Sequence, residues 1–468
     1  MKRSLIGAVL IGSLALGACG GDDTDAGDAG DEAEAARPLG LDAGFGTGGI
    51  AAVPLSATDP DRVTAVALAP DGTIYTAGFQ NVGGDQRLAV ARIGTDGELD
   101  TTFGTGGVAT VNASVGKTAE LARSVVVQST GKVVVAGTAE HDAAAAGDAA
   151  RDTDIVAARF DATGKLDTTF GTAGVARIDL GAGRAISATA FTGDNAWGMA
   201  NLAGDKLAIF GTKLASGADR TDADFALVGL TSAGVLDTSF GTGGSTVVDV
   251  DTGGDSARNV NVLGGKILAT GYTRSGDGVV SPVLIRTSLD GKLDTTFGTG
   301  GVANHTVLAG VAESYQVGLQ GSDYVMAGYG RGADAGEKVD LVAFRFTADG
   351  AWDPTFGTAG VTRVDVAGDD DRARDLEVLP DGRIMIVGSG KQTAAKVQPM
   401  VVLLDEDGAP VTDFGTGGRI LSDFGGPADS WYGITLSEDE EQAYLVGYKG
   451  VDANSGGNDD AVVGRVNL

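Results

Sequence analysis

The 468 residues carry a formal net charge of −29, with two histidines and one cysteine. A balance this acidic argues against nucleic acid and anionic membrane surfaces as partners, and a lone cysteine excludes disulfides and thiolate metal clusters. His141 and His305 stand about 160 residues apart; a histidine-built metal site or a Ser-His-Asp triad would have to be built from these alone, and neither is expected.

Met1 to Ala18 opens with Lys2 and Arg3, continues in an apolar run from Leu5 to Leu16 and ends in small residues before Cys19, the pattern of a secretory signal. The apolar run is 12 residues long, too short to span a bilayer. Leu16-Gly17-Ala18-Cys19 resembles the lipobox of bacterial lipoproteins. That resemblance implies cleavage before Cys19, which becomes the lipidated N-terminus and the chain's only attachment to a membrane. Gly20 rather than Asp follows the cysteine, which by the same resemblance implies the outer membrane of a Gram-negative cell, or the surface of a Gram-positive one. Residues 19–38 lack aromatic and β-branched aliphatic side chains, so they cannot bury a core and are expected to form a disordered acidic tether. The remaining domain, residues 39–468, keeps a charge of about −25, which favours solubility.

Within that domain, Leu99-Asp100-Thr101-Thr102-Phe103-Gly104-Thr105-Gly106-Gly107 returns in near-copies centred on Phe45, Phe103, Phe170, Phe240, Phe297, Phe356 and Phe414, spaced 58, 67, 70, 57, 59 and 58 residues apart. A fixed period of this size means an array or a propeller. The unit is clearest in its second copy. Ala122 to Gln128, Lys132 to Thr138, Asp154 to Phe160 and Gly174 to Leu180 read as four strands, broken by Ser129-Thr130-Gly131, a polar loop, and Asp161-Ala162-Thr163-Gly164 with the motif. Strands at this spacing, without helical periodicity, predict an all-β fold, and radial repetition of four-stranded blades hides their edges.

The motif, its period and the turns Pro70-Asp71-Gly72 and Pro380-Asp381-Gly382 resemble the delta-60 repeat family of bacterial β-propellers, and Ala65 to Gly78 is similar to an NHL-type blade. The resemblance spans residues 41–468 and implies a seven-bladed propeller, with the run before each Asp-Gly turn innermost. The chain ends on a third strand, Asp460 to Leu468, so Gly49 to Leu55 is expected to supply the missing outer strand and close the ring.

An aspartate accompanies each copy: Asp42, Asp100, Asp167, Asp237, Asp294, Asp353 and Asp413. Repetition favours a structural role, an Asx-type turn with Phe packed between blades. Arg92, Arg159, Arg286, Arg345 and Arg465, near the ends of third strands, are expected to pair with these acids. Each Gly-Thr-Gly-Gly leads into a strand, not a helix, so it is no phosphate loop. Acid-rich stretches around Asp148, Asp152 and Asp154, Asp222 and Asp224, Asp369 to Asp371, and Asp459-Asp460 offer oxygen ligands of the kind calcium takes. None has the spacing of a calcium loop, and no other cofactor is expected. Asp and Glu are too abundant for a glycosidase pair to be singled out.

Loop lengths vary on the face made by second-to-third and fourth-to-first connections, as in Ala139 to Thr153 and Gly181 to Asn195, which points recognition there. Counting back from the Gly that ends each second strand sets Thr64, Arg123, Trp197 and Arg374 at one position, with Arg258 and Trp431 one or two residues off. Arg123, Trp197, Arg258, Arg374 and Trp431 are therefore expected to ring the channel mouth as a site for an anionic or sugar-like ligand. The sequence thus reads as a monomeric, non-catalytic binding or scaffold module for a protein, peptide or glycan. The alternative, implied by propellers of similar architecture, is an axial lactonase- or glycosidase-like hydrolase using carboxylates with calcium.

Overall fold

A computed structural model describes residues 40–53, 55, 61–114, 119–140, 152–185, 191–215, 220, 222–334, 336–393, 396–450 and 460–468. The chain divides into Met1–Arg37 and Pro38–Leu468; the signal, Cys19 and the tether lie outside the described residues. Those residues hold no helix long and apolar enough to cross a membrane.

Strands follow one another as the punctuation dictates. Asp61–Leu68, Ile74–Val82, Asp85–Ile93 and Val108–Val111 form a four-stranded antiparallel sheet in chain order. The same up-and-down order returns in sheets that begin at Glu120–Val127, Asn195–Leu202, Asp255–Leu263, Val311–Gln320 and Asp371–Val378. A single parallel bridge, Val280 to Val311, links two of them. The last sheet runs Ser430–Leu436, Gln442–Lys449, Asp460–Asn467, and takes its outer strand from the other end of the chain, Ile50 opposite Gly464 through Val53 opposite Ala461. Gly40–Leu41 pairs alongside. The fold is an all-β propeller of four-stranded sheets.

The core lies between sheets, where alternate side chains of facing strands meet. Tyr75, Val90 and Phe103 pack with Val125, Val135 and Phe160 of the next sheet. Likewise, Tyr444, Val446 and Val463 of the last sheet pack with Val63, Ile74 and Ala91 of the first. Alanines at many of these positions let the sheets approach closely.

The repeated motif sits at these junctions. Six of its acids behave alike: one carboxylate oxygen accepts the N–H two residues on, Thr102 for Asp100 at 3.0 Å, Thr169 for Asp167, Ser239 for Asp237, Thr296 for Asp294, Thr355 for Asp353 and Gly44 for Asp42. The expected pairings form in all five cases, from Arg92 with Asp100 (2.7 Å) to Arg465 with Asp42 (2.6 Å). Each guanidinium also lies over the motif Phe, 4.3 Å from the Phe297 centroid in the case of Arg286, and donates to a turn carbonyl of the next sheet, as Arg286 does to Ala348 at 2.6 Å.

Asp413 departs from the expectation. It adjoins Phe414, whereas the other acids stand three residues before their Phe. Val411 holds the acid's place, its N–H bonded to Leu403 as that of Asp100 is to Arg92. Arg and Asp are therefore replaced together, by Leu403 and Val411, which join an apolar cluster. At Asp237 the arginine position is Gly229, and Lys206 supplies the cation at 2.8 Å.

Candidate functional site

Each innermost strand carries a β-bulge that leaves one residue unpaired: Thr64, Arg123, Trp197, Arg258, Tyr315, Arg374 and Tyr432. A bulge bends its strand and sharpens the local twist, and the residue opposite its near side is Gly each time. A Cβ at Gly137 would stand 1.9 Å from the Leu121 carbonyl oxygen, and one at Gly388 2.0 Å from that of Arg372. All seven bulge residues line one cavity of about 350 Å³, within the range of small-molecule sites.

Four of the five residues expected at the mouth, Arg123, Trp197, Arg258 and Arg374, are brought together there. Trp431 is not: it is fully buried, packed edge-on against Phe424 with centroids 4.7 Å apart, and the next residue, Tyr432, faces the cavity. Tyr315 is a further member that the count from glycine missed. The cause is unequal hairpins, since Leu263 pairs directly with Lys266 across two glycines whereas Leu436 reaches Ala443 only after a longer turn. The cavity extends along the strand halves beyond the bulges, past Val126, Asn261 and Thr435 toward the short turns, and on the variable-loop side Arg123 and Trp197 also line a second cavity with Glu120, Thr138 and Glu140.

Cations and aromatic faces alternate around it. Arg123 lies 4.0 Å and Arg258 4.6 Å from the Trp197 ring centroid; Arg258 also stacks on Tyr272 and Tyr315, and Arg374 lies between Tyr315 (4.9 Å) and Tyr432 (5.1 Å). Arg258 donates to Glu313 (3.1 Å) and to Ser256 Oγ and the Ala257 carbonyl (both 2.9 Å). Among the described residues no hydrogen bond or ion pair reaches Arg123 or Arg374, and Arg374 Nε is buried without a partner. The acids nearest in sequence are used elsewhere. Asp255 accepts from the Val250 N–H, Glu120 from those of Ala113 and Ser114, and Asp375 from Gln316, Leu376 and Ile434. Burial would push the Tyr432 phenol up, but Arg374, Arg123, Arg62 and Arg258 outweigh it and hold it below its ordinary value. Positive potential therefore concentrates here, in a protein of net charge −29.

Two acids share the cavity wall, Asp375 and Glu377. Burial raises Asp375 to about 6, and burial together with Asp375 raises Glu377 to about 8.

Three acidic clusters outside the cavity bring carboxylate oxygens within 4.8 Å of one another and have the composition of a metal site: Asp152 with Asp154 and Asp179, Asp224 with Asp249 and Asp255, Asp340 with Asp365 and Asp371. Each already holds a guanidinium: Arg177 on Asp154 (2.6 Å), Arg220 on Asp224 (2.9 Å) and Asp249 (2.7 Å), Arg363 on Asp340 (2.6 Å). Of the other acids named from sequence, Asp148 and Asp459 lie outside the described residues, and Asp369 pairs with Lys338 at 2.6 Å. His305 stacks on Trp352 with centroids 4.2 Å apart; His141 lies outside the described residues.

Residues 69–103, 128–170 and 265–297 match the family described as a domain of unknown function (DUF5122) beta-propeller. No curated protein matches the sequence. Similar solved structures include a catalytically inactive virginiamycin B lyase from Staphylococcus aureus with quinupristin (9% identity, 89% of this chain and 98% of that one, TM-score 0.42). Polysaccharide lyase Uly1 shows 10% identity over 90% and 93% of the two chains, TM-score 0.43. Sqt1 from Chaetomium thermophilum, bound to the N-terminus of the ribosomal protein L10, shows 12% identity over 89% and 100%, TM-score 0.41.

Proposed function

We propose that this protein is an exported binding module: a seven-bladed propeller of the delta-60 type, closed by its N-terminal strand, tethered through lipid on Cys19, and holding an anionic ligand in the axial cavity. The observation that carries the reading is the set of three guanidiniums in one cavity, of which Arg123 and Arg374 have no ion pair among the described residues. A charge-assisted bond contributes about 1.5–3 kcal/mol, and the cavity walls lower the local dielectric and strengthen each one. Trp197, Tyr315 and Tyr432 add flat faces for a sugar ring or an apolar body. Calcium would belong to the acid clusters outside the cavity and takes no part in this binding.

A second reading, an axial hydrolase, rests on Asp375 and Glu377. Asp375 is held in place by the Gln316 side chain and the Leu376 and Ile434 N–H groups, whereas Arg123 and Arg374 have no hydrogen bond or ion pair among the described residues. That favours binding.

Calorimetric titration with glucuronate and N-acetyl-trialanine tests the site. Arg123→Met and Arg374→Met keep the side-chain stems and remove the charge, so each should weaken binding at least about tenfold, about 1.4 kcal/mol, with a nearly unchanged melting temperature. Unaltered affinity, or a melting temperature lowered by many degrees, would make the arginines struts and end the proposal. The anchor is tested separately: Cys19→Ser should move the protein out of the membrane fraction, and retention there would exclude lipidation.

A further inference from the structure

The cavity holds a second unused group. Glu377 lines its wall, and among the described residues no hydrogen bond or ion pair reaches its carboxyl. It lies three positions beyond Arg374, about 10 Å along an extended strand, so unsatisfied cations and an unsatisfied acid occupy different levels of one 350 Å³ space. The ionisable groups around Glu377 are Asp375 on its own strand, Tyr315 from Val311–Gln320, Tyr432 from Ser430–Leu436, and Arg123, Arg258 and Arg374 around the cavity; no lysine or histidine lines it.

We propose that the ligand is dipolar: an anionic group held by Arg123 and Arg374, and a primary ammonium held by Glu377, on a skeleton of roughly 7–10 Å. A short peptide or an amino sugar bearing a phosphate fits this description. The inference rests on the guanidiniums being the anion site. In the empty cavity the Glu377 carboxyl, raised to about 8 by burial and by Asp375, holds its proton at neutral pH. When the ammonium arrives, the carboxyl gives that proton to solvent and the carboxylate–ammonium pair remains. Binding therefore releases close to one proton at pH 7, and affinity rises up to about tenfold between pH 6 and pH 7.

Titration of the full chain with trialanine against N-acetyl-trialanine, and with glucosamine 6-phosphate against glucose 6-phosphate, tests this in buffers of different ionisation heat. The dipolar member of at least one pair should bind at least tenfold more tightly than its anion-only counterpart and release a proton, and the pair that responds identifies a peptide or a sugar phosphate. Glu377→Gln should bring the dipolar member down to the anion-only level. Proton release by the unaltered protein decides the matter even if that variant fails to fold. Equal affinity within both pairs, no proton release, or a preference that survives Glu377→Gln overturns the inference. In those cases binding of the anion-only probes that still depends on Arg123 and Arg374 leaves the anion site standing, whereas failure of every probe removes both.

Discussion

Arg345 bridges two sheets with one side chain. Its Nε donates to Asp353 (2.7 Å), its Nη1 to Gln320 Oε1 (2.6 Å) and to the Glu406 carbonyl of the next sheet (3.0 Å), and its plane covers Phe356 at 5.1 Å. Removing one partner of a largely buried pair leaves the other desolvated and alone, at a cost of about 3 kcal/mol. The chain contains its own control, since Leu403 and Val411 hold the corresponding positions where neither charge is present. Arg345→Leu should therefore lose about 3 kcal/mol in denaturant melts, and adding Asp353→Val should restore part of it, the rest being the donors that Gln320 and Glu406 no longer have and the Thr355 N–H that Asp353 no longer accepts. Additive losses would show that the pair is not coupled. The pairing was legible in sequence because an eight-residue spacing recurs, as in Arg92 to Asp100 and Arg159 to Asp167. Asp413 misled because identity was read without register. The bulges themselves carry no residue signature; their trace is the glycine opposite, and hairpins of unequal length blur a count made from it.

At the scale of elements, the acids that open first strands act as loop clamps. Asp371 accepts the N–H groups of Val366 (2.5 Å) and Ala367 (3.3 Å), Asp429 those of Phe424 (2.9 Å) and Gly426 (3.1 Å), and Asp194 that of Leu180. Of these, Asp371 is one of the acids that the sequence offers as an oxygen ligand for calcium; composition shows its oxygen atoms but not which amides face them. Burial raises Asp194 and Asp255 to about 7 and Asp371 to about 6. The folded chain thus binds these protons more tightly than the unfolded chain, so their contribution is complete below about pH 4 and is lost as pH rises through 6 to 7. The motif acids run the other way. Hydrogen bonds from Lys206 and Ser239 lower Asp237 to about 2, and Asp167 and Asp294 are also depressed; their contribution is present above about pH 4 and lost as pH falls further. The melting temperature should peak near pH 4 and fall by several degrees at pH 8. Asp371→Asn keeps an acceptor and removes the titration, so it should raise the melting temperature at pH 8 and leave it nearly unchanged at about pH 4. A flat profile in the unaltered protein would refute the assignment.

For the whole molecule, the N-terminal residues matter more than their number suggests. Pairing of Ile50–Val53 with Ala461–Gly464 covers the backbone edge that Asp460–Asn467 would otherwise expose, and an uncovered edge invites pairing with another chain. The same segment contributes Phe45, fully buried against Tyr444 with centroids 6.1 Å apart, and Asp42, the partner of Arg465. Loss of a buried Phe alone costs about 3–5 kcal/mol, and Arg465 would be left over an empty space. Both effects fall on the junction between the last sheet and the first, where Tyr444, Val446 and Val463 meet Val63, Ile74 and Ala91. The rest of the N-terminus makes no such demand, because residues 19–38 have no side chains suited to a core. Two truncations separate these roles. Removing residues 1–39 should leave the melting temperature and the sedimentation behaviour unchanged. Removing residues 1–53 should lower the melting temperature by about 10 °C or more and cause association in analytical ultracentrifugation. If the shorter chain melts like the longer one and sediments alike, packing alone holds the last sheet against the first, and the terminal strand is dispensable.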